Sequence, residues 1–362
     1  DEVWTPIGST SEHPYTGTFN GSGHTIRVWL DGGGQALFGY VGADAKLTDI
    51  SVTKYQSANY SISDSAPLAL SNAGTITHCW YRGGITAKGS LGGLVYTNSG
   101  TIEACYVYTG RPNRGGRIEM YNGCWAGGIA YKNTGTIANS YFYGDIVQAQ
   151  SGNTVRDIIG WGAIAYEKNS GTVSNCYYAA ERDDGYGGKT EDQFRSGEVT
   201  YLLNGGTARD DWRQNRPADD TPVLDRSHAQ IRMSGKNYVS LYPHVHCICG
   251  GSTTSGGHPK HSDVTFTAWT DDEAASQYGS SSYTAANSLP KNPGNYYLTN
   301  DVTLYANGTW RPADGTVLCL NSRTIREFAF DKPLFDTITV DSGVTFSLTE
   351  CASIRGYVYC ST

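Results

Sequence analysis

The sequence predicts an all-β fold: a right-handed parallel β-helix, or solenoid, in two units joined by a short helical and Cys/His-rich connector. Three observations predict it. Gly (45 residues) and Tyr (26) weigh heavily in a 362-residue chain with 2 Met and 17% charged residues, a turn-dense β composition. A glycine-led motif recurs four times at coil-like intervals. Its apolar residues alternate with period two over segments too short for helices, and residues 1–180 hold no sustained 3.6-residue pattern.

The motif reads Gly74-Thr-Ile-Thr-His-Cys-Trp-Tyr81, Gly100-Thr-Ile-Glu-Ala-Cys-Tyr-Val107, Gly135-Thr-Ile-Ala-Asn-Ser-Tyr-Phe142 and Gly171-Thr-Val-Ser-Asn-Cys-Tyr-Tyr178, with spacings of 26, 35 and 36 residues. The last three copies have an upstream partner: Leu91-Gly-Gly-Leu-Val-Tyr96, Trp125-Ala-Gly-Gly-Ile-Ala-Tyr131 and Ile159-Gly-Trp-Gly-Ala-Ile-Ala-Tyr166. Asn98-Ser-Gly100, Asn133-Thr-Gly135 and Asn169-Ser-Gly171 join the two halves. A short strand cannot bury its own apolar face, whereas stacked copies bury Ile, Val and Leu against the same side chains one coil away. Gly and Asn at the turns imply positive φ, which costs other residues most. A β-propeller needs four strands per blade, and the 26 residues from Gly74 to Gly100 leave little room for them.

The opening of the chain adds a family resemblance. Trp4-Thr-Pro-Ile-Gly8, Phe19-Asn-Gly-Ser-Gly-His-Thr-Ile26, Ala36-Leu-Phe-Gly-Tyr-Val41 and Leu47-Thr-Asp-Ile-Ser-Val52 follow one another in order. Together with the later copies they resemble the repeats carrying the Gly-Leu-any-Gly (GLUG) motif, found in large bacterial surface and secreted proteins such as filamentous adhesins and the non-catalytic regions of immunoglobulin A proteases. The resemblance covers residues 1–180, with Ala36 in place of the usual Gly. It implies a β-helical scaffold and an extracellular, secreted or surface-anchored location, and transfers no catalytic residues.

Charges crowd in from Glu181 to Asp220, and residues 181–240 read as a closing segment. Thr190-Glu-Asp-Gln193 reads as a capping box for a short helix with Phe194, Val199, Leu202 and Leu203 as its apolar stripe, stopped at Gly205-Gly206. This segment is expected to cover the terminal coil, whose last face would otherwise expose edge amides.

Residues 241–262 hold the densest set of metal-ligating side chains. His244, His246, Cys247, Cys249, His258 and His261 fall within eighteen residues, and a Gly/Ser-rich bridge between Cys249 and His258 lets the two halves fold together. Cys247, Cys249, His258 and His261, with His246 as first substitute, form the preferred tetrahedral set for a structural zinc. The Cys-x-Cys spacing departs from the common Cys-x-x-Cys knuckle, and a Cys247–Cys249 disulfide or a ligand-free loop are the alternatives.

Residues 263–362 regain strand patterning at Val264–Trp269, Gly294–Leu298, Asp301–Leu304, Thr316–Leu320, Thr324–Ile325, Ile338–Val340, Val344–Leu348 and Tyr357–Tyr359. The order, with Trp310-Arg-Pro-Ala-Asp-Gly-Thr-Val-Leu-Cys-Leu-Asn321, looks like the C-terminal β-helical modules of Gram-positive surface proteins. It implies a second solenoid unit; the coil at Val344–Leu348 and Tyr357–Tyr359 runs nearly to the last residue, so either the chain ends there or the unit is cut from a longer solenoid.

A net charge of -7 without a Lys/Arg stripe argues against nucleic acid as partner, and no apolar run is long enough to insert in a membrane. The chain begins at Asp1, so any signal peptide or anchor is expected outside it. Nine Cys leave at least one unpaired; Cys79, Cys105, Cys124 and Cys176 read as small buried hydrophobes.

Two functions follow. The first is a non-catalytic extracellular structural or adhesion module whose partner is a host or matrix glycan or a surface protein. Trp80, Trp125, Trp161, Tyr108 and Tyr143 are its candidate ligand-binding residues, because rings repeated on one solenoid face offer stacking surfaces to sugars. The alternative is a polysaccharide hydrolase or lyase. It would need carboxylates about 5 to 9.5 Å apart on neighbouring coils, with Asp145 and Asp157 leading and Glu103, Glu119 and Glu167 behind them. Turn capping competes for each of these acids. Ice binding would need a regular Thr-x-Thr ladder, which the repeats lack.

Overall fold

The structure is a computed structural model that describes residues 4–29, 36–55, 64–87, 89–112, 117–120, 124–148, 160–167, 170–179, 187–206, 208–234, 236–241, 244–247, 263–305, 309–328, 337–350 and 357–359. The chain divides into two compact units, Asp1–Arg226 and Ser227–Thr362.

Unit 1 is a parallel β-solenoid with three long walls. The first wall stacks Thr18–Asn20, Lys46–Thr48, Thr75–Thr77, Thr101–Glu103, Thr136–Ala138 and Thr172–Ser174. The second stacks Thr25–Trp29, Ser51–Tyr55, Trp80–Arg82, Tyr106–Tyr108, Tyr141–Tyr143 and Tyr177–Ala179. Phe38–Val41, Ala69–Asn72, Val95–Asn98, Ala130–Asn133 and Ala165–Glu167 form the third. Two three-stranded sheets fill the longer coils: Leu91–Gly92, Ala126–Gly127 and Trp161–Gly162 in one, Ile85–Ala87, Arg117–Met120 and Asp145–Gln148 in the other.

Register converts the sequence repeat into columns. Leu47, Ile76, Ile102 and Ile137 pair in succession on the first wall and are fully buried. Val52, Tyr81, Val107, Phe142 and Tyr178 form the equivalent inward column on the second. Each such side chain contributes about 1.5–3 kcal/mol of burial, which a single strand could not obtain alone.

The glycines work differently from the expectation of positive φ. Gly74, Gly100, Gly135 and Gly171 are not among the positive-φ residues; what excludes a side chain there is the preceding coil. A Cβ on Gly135 would fall 2.1 Å from the Gly100 carbonyl oxygen, and one on Gly171 would fall 2.4 Å from Asn133 Nδ2. The left-handed corner lies four residues later, at Asp49, His78, Ala104, Asn139 and Asn175, with φ from 48° to 54°. The turn asparagines are not there for φ either. Asn72, Asn98 and Asn133 are fully buried and form a ladder in which Asn72 Nδ2 donates to Asn98 Oδ1 and Asn98 Nδ2 to Asn133 Oδ1, both at 2.8 Å. This satisfies amides that would otherwise be costly to bury.

Cys79, Cys105, Cys124 and Cys176 are free and buried, as the sequence implies. The Cys79 amide donates to Cys105 Sγ (3.4 Å) and the Cys105 amide to Ser140 Oγ (3.0 Å), so these positions also tie coil to coil. Burial pushes the Cys176 thiol up to about 12, which leaves it protonated and unreactive.

The closing segment forms two short helices rather than one, α1 (Glu191–Arg195) and α2 (Glu198–Leu203). The Thr190/Gln193 capping box is present; left-handed Gly197 (φ 87°) breaks the stripe, and Gly205 and Gly206 end it. Its position also differs from expectation. Instead of lying only over the last coil, it runs along the side of the second wall. Phe194, Val199, Leu203 and Trp212 bury themselves with Tyr106, Tyr141, Tyr143 and Ala179. The physical reason is area: two outward columns of aromatic rings offer more apolar surface than the edge of one coil.

Unit 2 opens with an antiparallel hairpin, Gln230–Ser234 against Asn237–Leu241. His244–Cys247 then pairs antiparallel with Asp263–Trp269. From there Asp263–Trp269, Asn295–Leu298, Thr316–Cys319 and Phe346–Thr349 stack in parallel, as do Val302–Leu304, Thr324–Glu327 and Tyr357–Tyr359. Ile338 makes a single bridge to Trp310 instead of the expected strand. Helix α3 (Asp271–Tyr278) occupies the polar stretch after Trp269, where no helix is expected. The Thr270 hydroxyl accepts from the Glu273 amide, Asp271, Asp272 and Glu273 favour the helix N-terminus, and Gly279 (φ 69°) stops it. Trp269 and Trp310 anchor the core by donating Nε1 to the carbonyls of Ser288 and Pro290, each at 2.7 Å.

Candidate ligand-binding face

Alternation fixes which rings point outward. On the second wall Tyr81, Val107 and Phe142 face the core, so the residues flanking them face out. Trp80, Tyr106 and Tyr141 stack in one column, with centroids 5.8 and 5.0 Å apart and planes within 6°. Tyr108 stacks on Tyr143 in the next at 5.4 Å, with the Arg82 guanidinium 4.8 Å from the Tyr108 ring.

These columns are occupied by the chain itself. Phe194 meets Tyr141 and Tyr143 edge-on at 5.6 and 5.0 Å, and Trp212 meets Tyr106 and Tyr141 at 6.0 and 5.2 Å. Tyr141 Oη donates to the Pro222 carbonyl at 2.6 Å and Trp212 Nε1 to the Asn139 carbonyl at 3.2 Å. A polar seam closes the margin: Arg209 bridges Glu103 (2.6 Å) and Asp211 (2.8 Å), His78 Nε2 lies 3.2 Å from Asp211, and Arg111 forks onto Asp220 at 2.7 and 2.9 Å. The hydrogen bond to Asp211 raises the His78 pKa against opposing burial, and the same bond, with Arg209, brings Asp211 down to about 2.

A second set of rings lies on the third wall. Tyr96, Tyr131 and Tyr166 each follow a buried residue, Val95, Ala130 or Ala165, and so face outward. Their centroids lie 4.9 and 5.7 Å apart with planes inclined by 18° and 22°. Trp125 lies parallel to Tyr166 (6.1 Å, 3°) and is 39% exposed. Gly160 makes its seat: a Cβ there would fall 1.9 Å from Trp125 Cδ1. Tyr96 Oη donates to Asp64 Oδ1 at 3.0 Å, Tyr131 Oη to Glu167 Oε1 at 3.3 Å, and Lys132 sits 3.4 Å from Glu167. Burial, followed by the Asp64 hydrogen bond, raises the Tyr96 pKa, so the phenol stays protonated.

The five rings expected to bind a ligand therefore separate. Tyr143 is buried under the closing segment, and Trp80 and Tyr108 are half-buried at its edge. Trp161 packs against the solenoid core. Trp125 alone of the five is an exposed ring; it stacks on Tyr166, which heads the column of Tyr131 and Tyr96, and none of these three is among the five. The signal for them is nevertheless present in the sequence, since each of the three closes one upstream half-repeat.

The carboxylates are placed as follows. Asp145 is buried at the start of its strand, in register with Arg117, and Asp157 lies outside the described residues. Glu103, Glu119 and Glu167 each hold a cation: Arg209, Arg117 and Lys132. Thr75, Thr101, Thr136 and Thr172 form one outward column on the first wall, but the neighbouring column runs Thr77, Glu103, Ala138, Ser174 and breaks any flat paired array. Cys249, His258 and His261 lie outside the described residues, and only the backbone of His246 and Cys247 is described. Among the described residues no cluster of three or more His, Cys, Asp or Glu is arranged to hold a metal ion.

No family model, curated protein or solved structure matches the chain.

Proposed function

We propose that the protein is a non-catalytic extracellular adhesion or structural module of the GLUG-repeat type, part of a longer bacterial surface protein, and that it binds a glycan on the third wall. One observation carries the glycan reading. Of the outward aromatic columns of unit 1, the chain covers one set with its own Phe194 and Trp212, while the set at Tyr96, Tyr131, Tyr166 and Trp125 keeps an exposed indole, and carboxylates hold two of its phenols. Rings flanked by hydrogen-bonding groups suit a ligand that is apolar on its faces and polar at its edges, as pyranose rings are. A glycan array probed with the wild-type chain and with Trp125→Ala tests the reading. Signals that disappear in the variant support it; an array that stays blank for wild type, or signals unchanged by the substitution, reject it.

We also propose a structural zinc for residues 244–262, drawn from Cys247, Cys249, His258 and His261 with His246 as substitute. The support is the donor set itself and the strand register, in which Cys247 opposes Asp263. The connection thus begins and ends one strand spacing apart.

A further inference from the structure

We infer that Gly160 is a positioning residue for the third-wall face, holding the Trp125 indole in the orientation that meets a ligand; this rests on the glycan reading above and names a residue that controls the site through Trp125 alone. Register places the two residues on successive coils. Ala126 pairs with Trp161 and Gly127 with Gly162, so Trp125 sits one coil before Gly160 at the same rung. The indole leans towards the later coil, lying parallel to its Tyr166 (6.1 Å, 3°). A Cβ on Gly160 would fall 1.9 Å from Trp125 Cδ1, 2.5 Å from Nε1 and 3.1 Å from Cγ. The pyrrole edge of the indole thus fills the space a methyl group would take.

This glycine differs from those beside it. At Gly127, Gly128 and Gly162 the atom nearest an added Cβ is a backbone oxygen, that of Ala130 at 1.7 Å, Ala163 at 2.0 Å and Ala165 at 2.0 Å, so these glycines serve the packing of backbone on backbone. At Gly160 the three nearest atoms all belong to the Trp125 side chain. A paired backbone oxygen cannot give way, whereas an indole can turn to another rotamer. A side chain at Gly160 therefore displaces Trp125 and breaks its alignment with Tyr166. The displaced ring samples several orientations, and a ligand must then immobilise it at an entropic cost that the seated ring does not incur. Gly160 also lies at φ 97°, where a Cβ strains the backbone itself. That strain does not depend on the indole, so a background lacking the indole separates the two effects.

The test compares wild type, Gly160→Ala, Trp125→Ala and the double variant, with Gly160→Asn as a second substitution whose side chain tolerates positive φ better. Each chain is melted, probed on the glycan array over a range of protein concentrations, and titrated with acrylamide while tryptophan emission is followed. The Trp125 emission is the difference between a chain and its Trp125→Ala counterpart. Both Gly160 variants should keep a cooperative melt, open the Trp125 emission to acrylamide and weaken array binding by about tenfold at most, the figure for losing the stacking ring outright. Gly160→Ala should weaken binding no further once Trp125 is Ala. Binding and quenching unchanged in the Gly160 variants, with binding weakened by Trp125→Ala, would overturn the positioning role and leave the glycan face standing. Loss of the cooperative melt in both Gly160 variants, or an equal further loss of binding in the Trp125→Ala background, would overturn it as well, because Gly160 would then act through the coil. An array blank for wild type, or indifferent to Trp125→Ala, would overturn the glycan reading and the positioning role together.

Discussion

Gly100 lies against Gly74 of the preceding coil so closely that a Cβ on Gly100 would fall 2.1 Å from the Gly74 carbonyl oxygen. The contact is backbone to backbone, so neither side can yield by a rotamer change. Gly100→Ala is therefore expected to destabilise unit 1 by about 1–3 kcal/mol, the range for overpacking. That corresponds to a fall of about 2–4 °C in melting temperature per kcal/mol for a unit of this size. A thermal melt unchanged by the substitution would show that the coils are not stacked this tightly.

The closing segment predicts a different cost. Trp212 is fully buried, touches Tyr106 and Tyr141, and donates Nε1 to the Asn139 carbonyl. Trp212→Ala should cost about 3–5 kcal/mol in denaturant unfolding. It should also bring the Tyr106 and Tyr141 rings into contact with solvent, read as a shift in tyrosine and tryptophan emission before global unfolding. If the segment were a loose linker, neither change would appear.

Much of the fold is legible in the sequence, and the limits have physical causes. The coil period, inward Ile column and buried thiols follow directly from the repeat, because stacking returns the same residue to the same place. The role of Gly74, Gly100, Gly135 and Gly171 does not, since sequence cannot separate a glycine kept for φ from one kept for close approach; the left-handed corners fall to His78 and Ala104 among others. Trp80, Tyr108 and Tyr143 look like display rings because their outward direction is set locally, whereas their covering arrives from Phe194 and Trp212, far along the chain. Helix α3 is hidden by its polar composition, and its signal lies in the Thr270 cap and the acidic first turn.

The seam between the first two walls and the closing segment gives a pH dependence with a definite sign. His78 has its pKa raised above 6.5 by Asp211, so its contribution is complete below that value and fades as pH climbs through the folded pKa. Asp211 is lowered from 3.8 to about 2, so its contribution is present above 3.8 and fades as pH falls towards 2. The His78–Asp211 pair is therefore at full strength between about pH 4 and 6.5. In melts across pH, His78→Gln should flatten the loss of stability seen as pH rises past this window. An identical profile in wild type and variant would show that the pair does not contribute.

For the Cys/His stretch, elemental analysis of protein purified without chelator should find about one zinc per chain. Substituting both Cys247 and Cys249 by Ser should abolish it. Absence of bound zinc in wild type, or retention by the double variant, contradicts the proposal.

On the proposed reading the two aromatic sets divide the work: one serves the fold and the other serves a ligand. Calorimetric titration of a glycan that binds wild type into Trp125→Ala and Tyr108→Ala, with both melts recorded, tests this division most directly. Trp125→Ala should weaken binding about tenfold and leave the melting temperature nearly unchanged, while Tyr108→Ala should lower the melting temperature and leave affinity intact. Affinity lost through Tyr108 and retained without Trp125 would contradict the division and move the ligand to the second wall.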